Sequence, residues 1–334
     1  MLKKILLAHG SGGRLTHDFI KESLLKKLNN PILKTLSDSA VINYKEKIAF
    51  TTDSFVVSPL FFPGGDIGKL AVSGTVNDLV MSGAAPEYIS LALIMEEGLD
   101  KRIIERVISS VALRAKESGV SIVTGDTKVV EKGAADKLFI NTSGVGRLVI
   151  KNPLALENIV AGDKIIITGN IAEHGLSVLA KRKELDLGFN IKSDCASLNG
   201  LIVPLLKRKT GIKFMRDPTR GGVATTLNEI SEGSGLSAAI NEKDIPVSGK
   251  VRVASELLGI DPLYVANEGK ALLIVEPREA LGAVRILRRH PLGRNAGIIG
   301  DMIKTQKPRL ILRTTFGTER VLDMLASESL PRIC

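Results

Sequence analysis

Two trains of alternating strand-like and helix-like runs, separated by one Asn-Pro- and Gly-containing segment, KNPLALENIVAG (151–162), constrain this chain more than any other feature. Alternation between the two periods is the pattern of sheets covered by helices, and 334 residues exceed what one ordinary core fills. The chain is expected to fold as two α/β domains, 1–150 and 163–318, joined by the 151–162 connector and followed by a mobile tail over 319–334.

In the first half KIAFTTD (47–53) reads as a strand ending in an acid. Gly64-Gly65-Asp66 then opens a helix through Ile67, Leu70, Ala71, Gly74 and Asp78, with Asp66 as its N-cap. A strand over 88–95, a helix from Asp100 to Gly119, and strands over 121–126 and 137–149 complete this half. The second half has strands at 164–169, 236–240, 271–276, 296–300 and 309–313, with helices near 175–183, 196–208, 221–233, 249–258 and 278–289. The closing ESLPRIC lacks periodicity, contains Pro331 and has few apolar residues to anchor it, so an extended tail is expected there.

Apolar residues at 44% and charged residues at 25% are ordinary globular usage and exclude a largely disordered chain. Cys195 and Cys334 are the only cysteines, too few for a four-cysteine metal site or a disulfide-stapled scaffold, which points to a reducing cytosol. The apolar run before His9 is too short for a signal peptide, and no stretch reaches about 18 apolar residues. A cytoplasmic protein with no membrane partner is expected. The formal charge of +10 invites a nucleic-acid reading, but aromatics are 4%, Trp is absent, and no basic run is interleaved with stacking residues. Nucleic acid is therefore not an expected partner.

Acids recur at loop-like or strand-end positions among small residues: Asp38 in SDSA, Asp53 in TTDS, Asp78 in VNDL, Asp126 in TGDT and Asp217 in RDPTRGG. Each alone also reads as a cap or a turn. Five together suit a crevice at strand ends, where carboxylate oxygens take Mg²⁺ that also binds nucleotide phosphates. HGSGGR (9–14) and RDPTRGG (216–222) are Gly-rich runs ahead of helical patterns, able to offer backbone N–H groups with Arg14 or Arg220 to an anion; a flexible turn is the alternative for both. His9, His17, His174 and His290 have no metal-ligand spacing and read as surface or packed side chains. Cys195 reads as a small packed residue. Cys334 is the last residue of the sequence and stands too late for prenylation, leaving either a frayed end or a nucleophilic thiol on an arm.

The runs HGSGGR, TTDSFVVSPLFFPGGDIGKLAVSGTVNDLVMSGAAP, IVTGDTKVV, INTSGVG, MRDPTRGGVATTLNEI, DPLYVANEGK and the terminal PRIC, in this order, closely resemble the HypE family of hydrogenase maturation proteins, with no departure at the motif positions. The resemblance covers nearly the whole chain. It implies a two-domain PurM-like α/β ATPase of α+β type, in the superfamily of aminoimidazole ribonucleotide synthetase and selenophosphate synthetase. It also implies an N-terminal sheet forming a homodimer interface and a flexible C-terminal tail.

The reaction the resemblance implies is ATP-dependent dehydration of a carbamoyl group carried on Cys334, S-carboxamide to S-cyanate, for the cyanide ligands of [NiFe] hydrogenase iron. HypF would supply the carbamoyl group and the HypC–HypD complex would receive the cyanide. ATP and Mg²⁺ are the implied cofactors. By motif, Asp38, Asp78 and Asp217 would bind magnesium, with Asp53 and Asp126 as further ligands or nucleotide contacts; Gly10, Gly12, Gly13 and Arg220 would contact the nucleotide. Lys128 would stabilise developing negative charge, and Glu268 in ANEGK would take the amide proton. Another ATP-dependent synthetase of the superfamily is one alternative, but no cysteine precedes Cys195 to match the reactive N-terminal loop of selenophosphate synthetases. A non-enzymatic thiol carrier is the other.

Overall fold

Strand β1 (Ile48–Phe55) alternates strictly: Thr51, Asp53 and Phe55 turn toward a helix, while Ile48, Phe50, Thr52 and Ser54 turn away from it into the open. The computed structural model describes residues 4–6, 19–30, 33, 44–208, 210–324 and 332–334. Gly10, Gly12, Gly13, Arg14 and Asp38 of the expected site, His9, His17 and Pro331 lie outside the described residues.

After a two-residue hairpin, β2 (Phe61–Phe62) with β3 (Gly65–Asp66), the first sheet continues with β4 (Ala84–Glu96), β5 (Ser121–Val130) and β6 (Leu138–Leu148), in the order β1-β6-β4-β5. Only β4 and β5 run parallel. One face is covered by α1 (Ile67–Met81) and α2 (Lys101–Ser118). Asp66 caps α1 as expected, accepting from the N–H groups of Gly68 and Lys69. α1 is buried almost all round, the signature of a central helix rather than a surface one. It crosses so near the sheet that a Cβ on Gly74 would meet the Phe55 ring at 3.0 Å. Among the described residues no helix covers the opposite face of this sheet, and Phe50 there is 68% exposed.

The second half forms a seven-stranded mixed sheet, ordered β13-β12-β9-β11-β7-β10-β8. Its strands are β7 (Lys164–Ile167), β8 (Ile212–Arg216), β9 (Ser237–Asn241), β10 (Leu272–Val275), β11 (Gly297–Ile303), β12 (Leu310–Arg313) and β13 (Glu319–Leu322). Around it lie α3 (Glu173–Arg182), α4 (Asn199–Leu206), α5 (Gly222–Ser234), α6 (Gly249–Leu258) and α7 (Pro277–Leu287). Two strands escape the sequence reading. β8 carries Lys213 and Arg216 within five residues, and β13 buries only Leu322, so neither shows a strong apolar period. Because β13 pairs with β12, the C-terminal domain runs to Leu322, past the expected boundary at 318, and a tail can begin only after it.

One core crosses both halves: Val76 and Val80 of α1 pack in a single cluster with Leu201 and Leu205 of α4 and Met215 of β8. Among the described residues, no helix is long and apolar enough to cross a membrane.

Candidate active site

The site is assembled where α1 meets the second domain. Asn77 is buried in the middle of α1; its amide donates to the carbonyls of Ala196 (3.1 Å) and Glu268 (3.3 Å) and accepts from the N–H of Leu198 (2.8 Å). The next residue, Asp78, turns toward β1 and accepts from the Thr51 hydroxyl at 2.9 Å. A single helix step therefore fixes both an N-domain carboxylate and the main chain of the ANEGK motif.

Four acids of the expected set share one electrostatic environment. Burial pushes Asp78 up to about 6 against the hydrogen bond from Thr51, with Asp53 adding to the rise. Burial and the Asp78 charge push Asp217 up to about 7. Asp53 is raised by burial, opposed by the N–H of Ser54 and by Arg220. Glu268 is held well above the carboxylate range by burial, then by Asp217 and Asp194. Each carboxyl thus titrates against the others, and the arrangement favours an incoming cation or the loss of anionic charge. Among the described residues, no three ligand-type side chains are close enough to hold a metal ion by themselves. Carboxylate oxygens are the donors Mg²⁺ takes, commonly one or two of them together with substrate phosphates. The oxygen-only donor set fits it.

Arg220 and Asp217 stand on the turn between β8 and α5. Gly221 and Gly222 there have φ of +72° and +64°, and a Cβ on Gly222 would meet the carbonyls of Leu263 and Val265 at 2.6 Å, so the turn requires glycine. The ANEGK segment is pinned as firmly. Asn267 accepts from the N–H of Ala172 at 2.8 Å, holding that non-glycine residue at φ 71° at the head of α3. A left-handed alanine is a strained conformation that its surroundings must impose. The Asp194 side chain, fully buried, takes the N–H of Glu268 at 3.2 Å on one oxygen and Lys270 Nζ at 3.0 Å on the other.

The end of the chain enters this region. Val56 and Ser58 donate to the main-chain oxygens of Cys334 (3.0 Å) and Arg332 (3.3 Å), so residues 332–334 run antiparallel to the segment just after β1. Ile333 is 1% exposed and Cys334 is half-buried against the core. Arg332 donates to the Val56 carbonyl and pairs with Asp136 at 3.0 Å. The described end of the tail is thus held by main-chain pairing and one apolar anchor, more firmly than the composition of ESLPRIC suggests.

Asp126 and Lys128 are not with the others. Both are on β5, paired with each other at 3.7 Å, 63% exposed, and they project from the open face of the sheet. Asp53 and Asp78 lie on the covered face, and β5 is three strands from β1. Within one chain, Lys128 does not stand beside Cys334. Cys195 is buried as expected, its thiol pushed up to about 12 by burial. Asn77, Asn267, Asp194 and His174 were not among the expected site residues; the one sequence signal was a polar Asn inside the apolar run LAVSGTVNDLV.

AIR synthase related protein, N-terminal domain, matches residues 36–148, and the corresponding C-terminal domain matches 160–313. The fold and these two matches define the class, a two-domain AIR synthase-related protein. Carbamoyl dehydratase HypE of Cupriavidus necator is 45% identical over 335 residues, covering 99% of this chain and 95% of its own length. A crystal structure of the hydrogenase maturation protein HypE in complex with ATP superposes with a TM-score of 0.95 at 45% identity, over 98% of this chain and 99% of that one. A HypE–HypF complex structure matches with a TM-score of 0.81 at 45% identity, over 92% and 99%. The chain belongs to the HypE family of carbamoyl dehydratases.

Proposed function

We propose that this chain dehydrates a carbamoyl group carried on the Cys334 sulfur, consuming ATP, and so makes the cyano group destined for [NiFe] hydrogenase iron. The observation that carries the reading is the docked tail. Cys334 lies along residues 56–58, three residues beyond Asp53, and Ile333 is linked through His174 and Ser193 to the segment whose Asp194 holds Glu268. A thiol-ending arm held on the segment that follows the Asp53 strand is what a thiol-borne amide would need.

The chemistry balances. The amide oxygen of S–CO–NH₂ attacks the γ-phosphorus of ATP and ADP leaves. The nitrogen then loses both protons as the C–O bond breaks, giving S–C≡N and inorganic phosphate. Glu268 is suited to take a proton, because a buried carboxyl with a raised pKa is a stronger base once ionised. Half-burial of Cys334 limits water at the activated carbon. Asp78 and Asp217, together with Asp38, would hold Mg²⁺, which supplies neutralisation of the triphosphate charge. Arg220, Asp53 and the Gly10–Gly13 run would contact the nucleotide.

Asp126 and Lys128 enter this reading through a homodimer. The uncovered sheet face that presents them also presents Ile48, Phe50 and Ile94, and pairing of two such faces would bring each Lys128 to the partner's side of the interface. HypF is the carbamoyl donor in this reading, supported by the HypE–HypF complex, and a HypC–HypD complex is the acceptor. Intact mass of the C-terminal peptide, after incubation with a carbamoyl donor and ATP, tests the reading. Loss of one water from the carbamoylated peptide, with matching phosphate release, is expected; a carbamoyl adduct that persists through ATP turnover would overturn it.

A further inference from the structure

His174 is buried completely in the first turn of α3, its ring set edge-on to Phe62 at 5.4 Å between centroids. Its two nitrogens reach different parts of the molecule: Nε2 lies 2.9 Å from the carbonyl oxygen of Ile333, and Nδ1 lies 2.8 Å from the Ser193 hydroxyl. A carbonyl can only accept, so Nε2 carries the proton. Burial lowers the pKa of the ring and favours the neutral form, so Nδ1 is left as an acceptor and the Ser193 hydroxyl donates to it. The same hydroxyl accepts the N–H of Cys195 at 3.0 Å, and the N–H of Ser193 donates to Pro63. Every group in the relay is satisfied in one direction only.

We propose that His174 is the positioning residue that latches the Cys334 arm in its docked place, its Nε2–H held on the Ile333 carbonyl by the Ser193 hydroxyl behind it. The inference rests on the reading of Cys334 as the carrier thiol. Three observations join to make it. The ring bonds the residue immediately before Cys334. Its tautomer is set from the segment that also carries Asp194, the support of Glu268. The far end of the same helix repeats the contact, where Arg182 donates to the carbonyls of Ser58 and Arg332. α3 therefore forms one wall of a slot whose other wall is residues 56–58, and the arm lies between them. A neutral hydrogen bond of this kind is strong enough to fix register and weak enough to open when the thiol must reach a partner.

Alkylation of Cys334 by iodoacetamide, followed by intact mass without ATP or carbamoyl donor, reads docking alone. Buried Cys195 serves as the internal unreactive thiol. His174→Asn keeps an amide at the Nδ1 position but cannot reach Ile333; His174→Gln places an N–H at the reach of Nε2. The asparagine variant should be alkylated about three- to tenfold faster than the parent, the population shift produced by loss of one neutral hydrogen bond, and the glutamine variant should return most of the way. Equal rates in all three proteins overturn the latch. An equal rise in both variants also overturns it, because that reports lost ring packing rather than a lost donor. If the variants fail to fold, ¹⁵N NMR of the unaltered ring decides: protonation at Nε2 alone supports the latch, and protonation at Nδ1 overturns it. Because no dehydration is measured, a failure here is separable from a failure of the carbamoyl reading.

Discussion

The Asn77 side chain, buried in a helix of the first domain, donates to the main-chain oxygen of Glu268 in the second, 191 residues away, at 3.3 Å. With its bonds to Ala196 and Leu198 it is the polar rivet between the domains at the point where the acids gather. Removing it takes this partner from the Ala196 carbonyl and the Leu198 N–H and leaves the Glu268 carbonyl with the N–H of Ala196, and each buried polar group left unpaired costs about 1–3 kcal/mol. Asn77→Ala should therefore lose about 2–4 kcal/mol of stability and lower dehydration more than it lowers ATP affinity, because the main chain of Glu268 loses one of the bonds that place it. Denaturant unfolding and nucleotide titration check this; a variant within experimental error of the parent in both would refute it.

The acid cluster makes stability depend on pH in a defined sense. Asp78 and Asp217 have folded-state pKa values of about 6 and about 7, above the usual 3.8. The folded protein thus binds more protons than the unfolded chain between these limits. Protonation stabilises it below the ordinary carboxylate range, and that contribution is lost as pH rises through about 6 and then about 7. In the absence of nucleotide and magnesium, stability should fall by on the order of a few kcal/mol as pH is raised from about 5 to about 8, lowering Tm with it, and Asp217→Asn should flatten the slope. Mg-ATP should raise Tm more at the alkaline end, where the carboxylates are ionised. A Tm that climbs with pH in the free protein would contradict the electrostatic account.

Much of the site could be read from residue type and neighbours. Asp53, Asp78 and Asp217 stood out because each follows a strand or interrupts a helix among small residues, and the structure brings them within electrostatic reach of Glu268. What could not be read was anything whose meaning is a tertiary partner. Asp194 is one acid in SDCASL until Lys270 and the N–H of Glu268 converge on it. His174 has no spacing partner in IAEHG, and it acts on a residue 159 positions later. Lys128 shows the reverse limit: its motif is specific, but a strand presents alternate residues to opposite faces, and the face was visible only once Thr127 was found buried and Lys128 exposed. The short strands β8 and β13 failed for want of an apolar period, since their hydrogen bonds rather than their side chains place them.

The two cysteines should separate chemistry from packing. Cys334→Ala should abolish dehydration while leaving the fold and ATP binding intact, since the side chain is half-buried at the end of an arm. Cys195→Ala removes a fully packed sulfur and should cost about 1–2 kcal/mol with activity retained. Thiocyanate formation on intact protein, read by mass, checks the first, and thermal unfolding checks the second. Undiminished S-cyanate chemistry without Cys334 would remove the basis for the proposed reaction.

The open face of the first sheet carries a stripe across three strands, Phe50 opposite Val145 and Val145 opposite Tyr88, with Ile48 beside it and Ile94 further along β4 on the same face. An apolar stripe on a sheet face, with the ion pair of Asp126 and Lys128 further along the same face, suits an isologous two-fold contact in which every substitution acts twice. Light scattering should report a homodimer. Phe50→Asp places a carboxylate in each copy of that contact, where burial without a partner costs several kcal/mol per ion, and should shift the protein to monomer. Since the dimer is what would carry Lys128 to the partner's cleft, the same variant should lose dehydration along with assembly, whereas Lys128→Ala should lose dehydration and remain dimeric. A Phe50→Asp monomer with full ATP-coupled activity would mean that each chain's site is complete without the other.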